Sequence, residues 1–168
     1  MKKIIFSFLI AFNLLYSIEL PPEPNPKENE STLEGIDSNY NGVRDDVEIK
    51  IYKNYYNQLQ RELLMEGARQ FQKILDSERN MYKQIERDIS KVSDCHIYLR
   101  DIDKDIKRYD FDFILFLETE TFNTLKRSKK YKNYNKILSK GFYSSMILND
   151  WSINSCNNKI KKILSKKK

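Results

Sequence analysis

The sequence predicts a small all-α domain, built on a long antiparallel helix pair with further helices after it. Three observations predict this. All four prolines, Pro21, Pro22, Pro24 and Pro26, lie near the start, so long helices downstream are unobstructed. Beyond them, apolar residues recur at spacings of three and four, the period of an amphipathic helix. Hydrophobic residues make up 40% of the chain and aromatic ones 12%, enough to bury a core and to exclude global disorder.

Residues 1–17 read as a signal peptide. Lys2 and Lys3 give the positive start, and Ile4 to Leu15 is apolar apart from Ser7 and Asn13. Ser17 is a small residue placed for cleavage. An apolar run of about 12 residues is too short to span a bilayer comfortably. An uncleaved anchor or a buried helix is the competing reading. No cysteine follows the run, so a lipid anchor is not indicated. Residues 18–31 are polar and carry the prolines, as an extended linker does. What remains, residues 32–168, suits a single domain with one core.

Helical periodicity begins at Asp45 and continues to Leu75. Tyr52, Tyr56, Leu59 and Leu63 form one stripe, and Leu64, Ala68, Phe71 and Leu75 continue it one position round. Gly67 is a weak point in this helix, at a cost of about 1 kcal/mol relative to Ala. A second helix is expected from Glu78 to Tyr109. Its seam is Ile85, Ile89, Val92, Cys95, Leu99, Ile102, Ile106 and Tyr109, which puts Cys95 on the buried side. The two helices should pack as a hairpin.

Phe111 to Leu117 is a short apolar run that periodicity assigns to neither helix nor strand. Asn123 or Thr124 then caps a third helix running to Lys140, with Leu125, Tyr134 and Leu138 inward and Gly141 as its stop. Phe142 to Trp151 adds core. Lys159 to Lys168 forms a basic tail with Ile160, Ile163 and Leu164 on one side.

Two cysteines, Cys95 and Cys156, are an even count in a chain that reads as exported, which favours a disulfide over two buried thiols. Such a bridge, closing about 60 residues, stabilises by about 4 kcal/mol on chain-entropy reasoning.

The stretch from Asp37 to Glu48 carries chemistry. Asp37, Asn39 and Asn41 stand at positions 1, 3 and 5 of a twelve-residue loop and offer side-chain oxygens. Gly42 at position 6 permits a sharp turn. Val43 at position 7 offers its backbone carbonyl. Asp45 at position 9 binds directly or through water, and Glu48 at position 12 closes the set with two oxygens. This resembles an EF-hand loop, and implies calcium, a hard cation that takes six to eight oxygens. Position 8, usually aliphatic where two such loops pair, is Arg44, and the chain has no second loop. The unit is therefore more similar to the loop-plus-exiting-helix of dockerins than to a paired sensor. Two Asn ligands lower its charge, so affinity should fall in the sub-millimolar to millimolar range of extracellular modules. The competing reading is an Asn-Gly turn before an Asp-capped helix, with no metal.

The longer string from Thr32 to Glu48 is similar to one near the start of a group of uncharacterised bacterial exported proteins. Asn123, Thr124, Arg127, Tyr131, Tyr134, Asn135, Leu138 and Ser139 resemble that group's second recognisable stretch. The resemblance implies export and calcium, and brings no activity with it.

Other constellations are weaker. His96 is the sole histidine and stands beside Cys95, but one His next to a bridged Cys makes neither a zinc site nor a Cys-His nucleophile. Glu118 and Glu120 could serve acid–base work as a carboxylate pair, though such pairs are more often surface charges. Net charge is +6 and uneven: residues 121–168 hold 13 Lys and Arg against a single acid, Asp150. Lys126, Arg127, Lys129, Lys130 and Lys132, with Tyr131 among them, could take phosphate-rich polymers, lipid headgroups or nucleic acid. A solvated helix face, enriched in Lys by an AT-rich gene, is the competing account. No glycine-rich phosphate loop, nucleophile elbow or metalloprotease motif is present.

The sequence thus points to an exported, periplasmic or secreted calcium-binding protein, a non-enzymatic binding or structural module of the cell envelope. Two alternatives stay open: a small envelope hydrolase without a recognisable motif, and a binder of anionic envelope polymers or lipid headgroups through the basic C-terminal face. The expected partner is an envelope protein or an anionic envelope polymer, with nucleic acid disfavoured and no transmembrane span in the mature chain.

Overall fold

The computed structural model describes residues 19–104, 106, 112–141 and 151–167. Among them the fold is all-α, with no strand. The helices are α1 (Pro26–Asn29), α2 (Asp45–Asn54), α3 (Gln58–Asp76), α4 (Tyr82–Ile102), α5 (Phe113–Thr121), α6 (Leu125–Gly141) and α7 (Asn158–Lys166). The signal segment 1–17, Tyr109 and residues 142–150 lie outside the described residues.

Helix α3 is the centre. It packs against α2, α4, α5, α6 and α7. Leu59, Leu63, Leu64, Phe71, Ile74 and Leu75 are all buried on it, and so are Gln60, Gln70 and Gln72. A helix buried this broadly has no wide polar face to spare. Gly67 is where α5 crosses it. A Cβ there would stand 2.5 Å from Leu117 Cδ1 and 2.8 Å from Phe113 Cζ. Gly67 is thus a contact point between helices, which the absence of a side chain makes possible.

The expected helix from Asp45 to Leu75 is two helices. Tyr55 is extended, and Asn57 caps α3 by accepting from Leu59 N–H at 2.8 Å and Gln60 N–H at 3.3 Å. Arg61 reaches back from α3 to the carbonyls of Tyr55 and Tyr52, closing the end of α2. Its guanidinium lies 5.0 Å from the Tyr52 ring centroid. Tyr56, assigned to the stripe, is 83% exposed because the break turns it out.

Helices α3 and α4 pack as the expected hairpin, joined through a short 3-10 turn at Arg79–Met81. On α4, Ile85, Val92, Cys95 and Leu99 are buried, whereas Ile102 at the helix end is half exposed. The ambiguous apolar run is the helix α5, capped by the Asp112 carboxylate on Leu115 N–H at 2.8 Å. Thr124 caps α6, its hydroxyl accepting from Arg127 N–H at 3.3 Å. Tyr134 points inward and Leu138 packs on the core, but Leu125 is exposed. The aromatic part of the core stacks Phe122 on Tyr131 at 4.1 Å and sets Tyr82 edge-on to Tyr134 at 4.9 Å.

Cys95 and Cys156 form a disulfide, both buried, tying α4 to the segment that leads into α7. Within the expected linker, residues 19–31 are not simply extended. Pro21 and Asn29 are buried, Pro26–Asn29 makes one helical turn, and Glu23 pairs with Lys53 at 2.8 Å. Among the described residues no helix is long and apolar enough to cross a membrane.

Candidate functional site

The loop of Asp37 to Glu48 is built by a short set of contacts. Gly42 adopts φ +82° and Tyr40 φ +55°, both left-handed, so the chain turns twice within three residues. Asp37 locks the turn: its carboxylate accepts from Gly42 N–H at 2.8 Å and Asn41 N–H at 3.1 Å. The Asp45 carboxylate accepts from Ser38 N–H at 3.1 and 3.2 Å, and Asp45 N–H donates to Ile36 carbonyl at 2.8 Å. Asp45, Asp46 and Glu48 all lie in the first turn of α2, where carboxylates favour the helix dipole.

The interior of the loop is where the expected ligands meet. Asn39 Nδ2 and Asn41 Nδ2 both donate to Glu48 Oε2, at 3.0 and 2.7 Å. Asn41 Oδ1 accepts from Val43 N–H at 2.9 Å, and the Val43 side chain is buried in the core. Three of the predicted side chains therefore converge on one point, while Asp37 and Asp45 face loop N–H groups. Among the described residues no three of His, Cys, Asp and Glu come together as a metal-holding group. The convergent set depends on Asn amides, which carry oxygens but no charge.

These donors fit a hard cation in kind. Each of the five side chains offers oxygen, and a half-turn of either Asn amide presents Oδ1 at the point where Nδ2 now meets Glu48. The surroundings are acidic. Burial first, then the Glu34 carboxylate, raises the Asp76 carboxyl, and Asp37 adds to the rise. Arg69 stays outside the loop, donating to the Asn41 carbonyl at 3.0 Å and pairing with Glu66 at 3.1 Å.

Two arginines fasten this loop to the rest of the fold, a role that periodicity does not announce. Arg44, at the loop position that is usually aliphatic, is fully buried. It donates to the carbonyls of Thr121 at 3.1 Å and Glu120 at 2.7 Å, the free end of α5, and pairs with Asp46. Arg127 comes from α6 and is also fully buried. It donates to Leu33 carbonyl at 2.8 Å, to Asn123 Oδ1 at 2.8 Å and to the Asn29 carbonyl. Burial, with the Arg44 guanidinium next in effect, lowers the Arg127 pKa. Asn29 completes the arrangement, its Oδ1 accepting from Ile36 N–H at 2.9 Å.

Arg127 is therefore not part of an exposed basic face, as the sequence suggested, but a buried fork reading the chain before the loop. The other predicted patch residues divide. Lys126, Lys129 and Lys132 are exposed. Lys130 is half-buried, donates to Ser77 carbonyl at 3.1 Å and lies 5.9 Å from the Tyr82 ring centroid.

The remaining candidates are each engaged by neighbouring side chains. His96 packs against Phe113 with ring centroids 5.2 Å apart, and burial lowers its pKa to about 4. Glu118 and Glu120 face different partners: Glu118 accepts from Tyr131 O–H, and Glu120 pairs with Lys50. Burial, with the Glu118 bond next, pushes the Tyr131 phenol up to about 12. No family model matches this chain, and no similar curated protein or solved structure was found.

Proposed function

We propose that this is an exported protein in which the Asp37–Glu48 loop binds one calcium ion and fixes the start of a disulfide-stapled helical binding or structural module of the cell envelope. The observation that carries the reading is the convergence of Asn39, Asn41 and Glu48 at positions 3, 5 and 12. A plain Asn-Gly turn does not require it. The ligands would be Asp37, Asn39, Asn41, the Val43 carbonyl, Asp45 and Glu48. The ion supplies positive charge at a cluster of oxygens and lets Glu48 hold the loop to α2.

Export is supported by Lys2, Lys3 and the apolar run after them, and by a disulfide, which oxidising compartments preserve. Arg44 supports a structural role over a sensing one. It occupies the position through which paired loops join, and it is already spent on the end of α5.

Isothermal calorimetry on the purified protein tests the reading. Calcium should bind once, with an affinity in the sub-millimolar to millimolar range, and Glu48→Gln should abolish it. No heat at millimolar calcium refutes the reading.

A further inference from the structure

The sequence places a basic face on α6, but the groove lined by several lysines belongs to α7. Lys159, Lys162, Lys166 and Lys167 of α7 and its end line a groove of about 370 Å³ with Ile163, opposite Gln58 and Glu62 at the start of α3. Lys159, Lys162 and Lys166 fall at spacings of three and four, which puts them on one side of the helix.

Lys159 is placed against the electrostatics of its own helix, whereas Lys166 and Lys167 stand at the favourable C-terminal end. The first turn of α7 contains no acid and holds Lys159 and Lys161, where the positive end of the dipole disfavours cations. Lys159–Lys162 and Lys162–Lys166 are like-charge neighbours one turn apart. Compensation is thin. Lys159 approaches Glu62 only to 4.0 Å, and Lys167 pairs with Asp103 at 3.0 Å. Among the described residues Lys162 and Lys166 have no carboxylate partner. An anion in the groove relieves the repulsions among Lys159, Lys162 and Lys166 together.

The groove is held in shape. Cys156 is bonded to Cys95, Asn157 caps α7 on Ile160 N–H at 2.9 Å, and Asn157 Nδ2 donates to Glu66 at 3.1 Å. Ile160 is buried, and Ile163 and Leu164 pack on the core. Most of the apolar side of α7 is thereby covered, so the helix has little to insert into a bilayer. A concave groove also admits a single strand better than a flat lipid surface. Among the described residues its lining contains no aromatic side chain and no Arg, the groups that stack and read nucleic acid bases.

We propose that this groove binds one strand of a linear phosphate-bearing polymer through Lys159, Lys162, Lys166 and Lys167. This gives the binding module proposed above a site and a ligand class. It does not require the metal, so it is tested in chelator, where failure of the calcium reading leaves the result untouched.

The probe is fluorescently labelled inorganic polyphosphate, titrated with purified protein and read by anisotropy between about 50 and 200 mM salt. Lys162→Gln with Lys166→Gln should weaken binding at least about tenfold and reduce the salt slope by roughly one to two. Lys129→Gln with Lys132→Gln on α6 removes the same charge and should change affinity less than about twofold. All four lysines are exposed, and circular dichroism should show both variants folded. Equal losses in the two variants would overturn the proposal, since binding would then follow net charge alone. Absence of binding by the unaltered protein at low salt would also overturn it. So would tighter binding to anionic phospholipid vesicles, or to single-stranded DNA, at matched phosphate concentration.

Discussion

Arg44 and Arg127 close on Gly35 from two directions. A Cβ at Gly35 would stand 2.3 Å from Arg44 Cδ and 2.8 Å from Arg127 Nη2. One arginine leaves the loop to hold the end of α5, and the other leaves α6 to hold the chain before the loop. The loop is thus locked into the domain by guanidinium groups that run through the same small space, and glycine is what leaves that space open.

Gly35→Ala should therefore destabilise the protein by more than about 2 kcal/mol, since φ is +73° and the new methyl meets side chains it cannot pass. Gly42→Ala is the contrast. Its φ is +82°, but the nearest atom to a new Cβ is 3.6 Å away, so only backbone strain of about 1 kcal/mol applies. Urea unfolding in chelator separates the two, and equal losses would contradict the crowding at Gly35.

Replacement of Arg127 by Lys should cost about 3 kcal/mol or more, because an ammonium cannot reproduce a fork that reaches Leu33, Asn123 and Asn29 together. Arg44→Lys should behave alike through Thr121 and Glu120. Lys129→Gln, on the same helix as Arg127 but exposed, should stay within about 0.5 kcal/mol. Denaturant midpoints read all three.

The helical class, the α3–α4 hairpin and the convergence of Asn39, Asn41 and Glu48 were legible from local spacing, and the Cys95–Cys156 pairing from an even cysteine count. What escaped was one local cap and two long-range arginine anchors. The break before α3 depends on Asn57 capping, a signal that was present but overshadowed by continuous apolar spacing. The buried roles of Arg44 and Arg127 depend on carbonyls many residues away, which no periodicity announces. Arg44 at an aliphatic loop position was the one hint. Arg127 reads as surface charge because the lysines around it are surface charge.

Reduction should destabilise the protein by about 4 kcal/mol, given the sequence separation of 61 between Cys95 and Cys156. Urea unfolding with and without reductant measures the loss. A Cys95→Ala, Cys156→Ala double variant should match the reduced protein and show no further response to reductant.

Stability should fall as pH drops from about 6.5 toward 4 in a manner that depends on His96. Burial lowers its folded pKa to about 4, below the ordinary 6.5, so between these values the unfolded chain binds the proton and the folded chain does not. The contribution is complete above the upper value and is lost on acidification through the window. His96→Phe should flatten the difference between unfolding curves at pH 7.5 and pH 5, while the carboxylate contribution common to both proteins remains. An unchanged difference would place the histidine in water.

The most direct test of the calcium clamp is the thermal midpoint in 5 mM calcium against chelator. For a site of sub-millimolar affinity, linkage predicts about 1–2 kcal/mol of stabilisation, or a rise of roughly 3–8 °C. Glu48→Gln should lose that rise, and magnesium at the same concentration should reproduce little of it. A midpoint indifferent to calcium, or an equal rise in Glu48→Gln, would contradict the account that Asp37 to Glu48 is a metal-held loop.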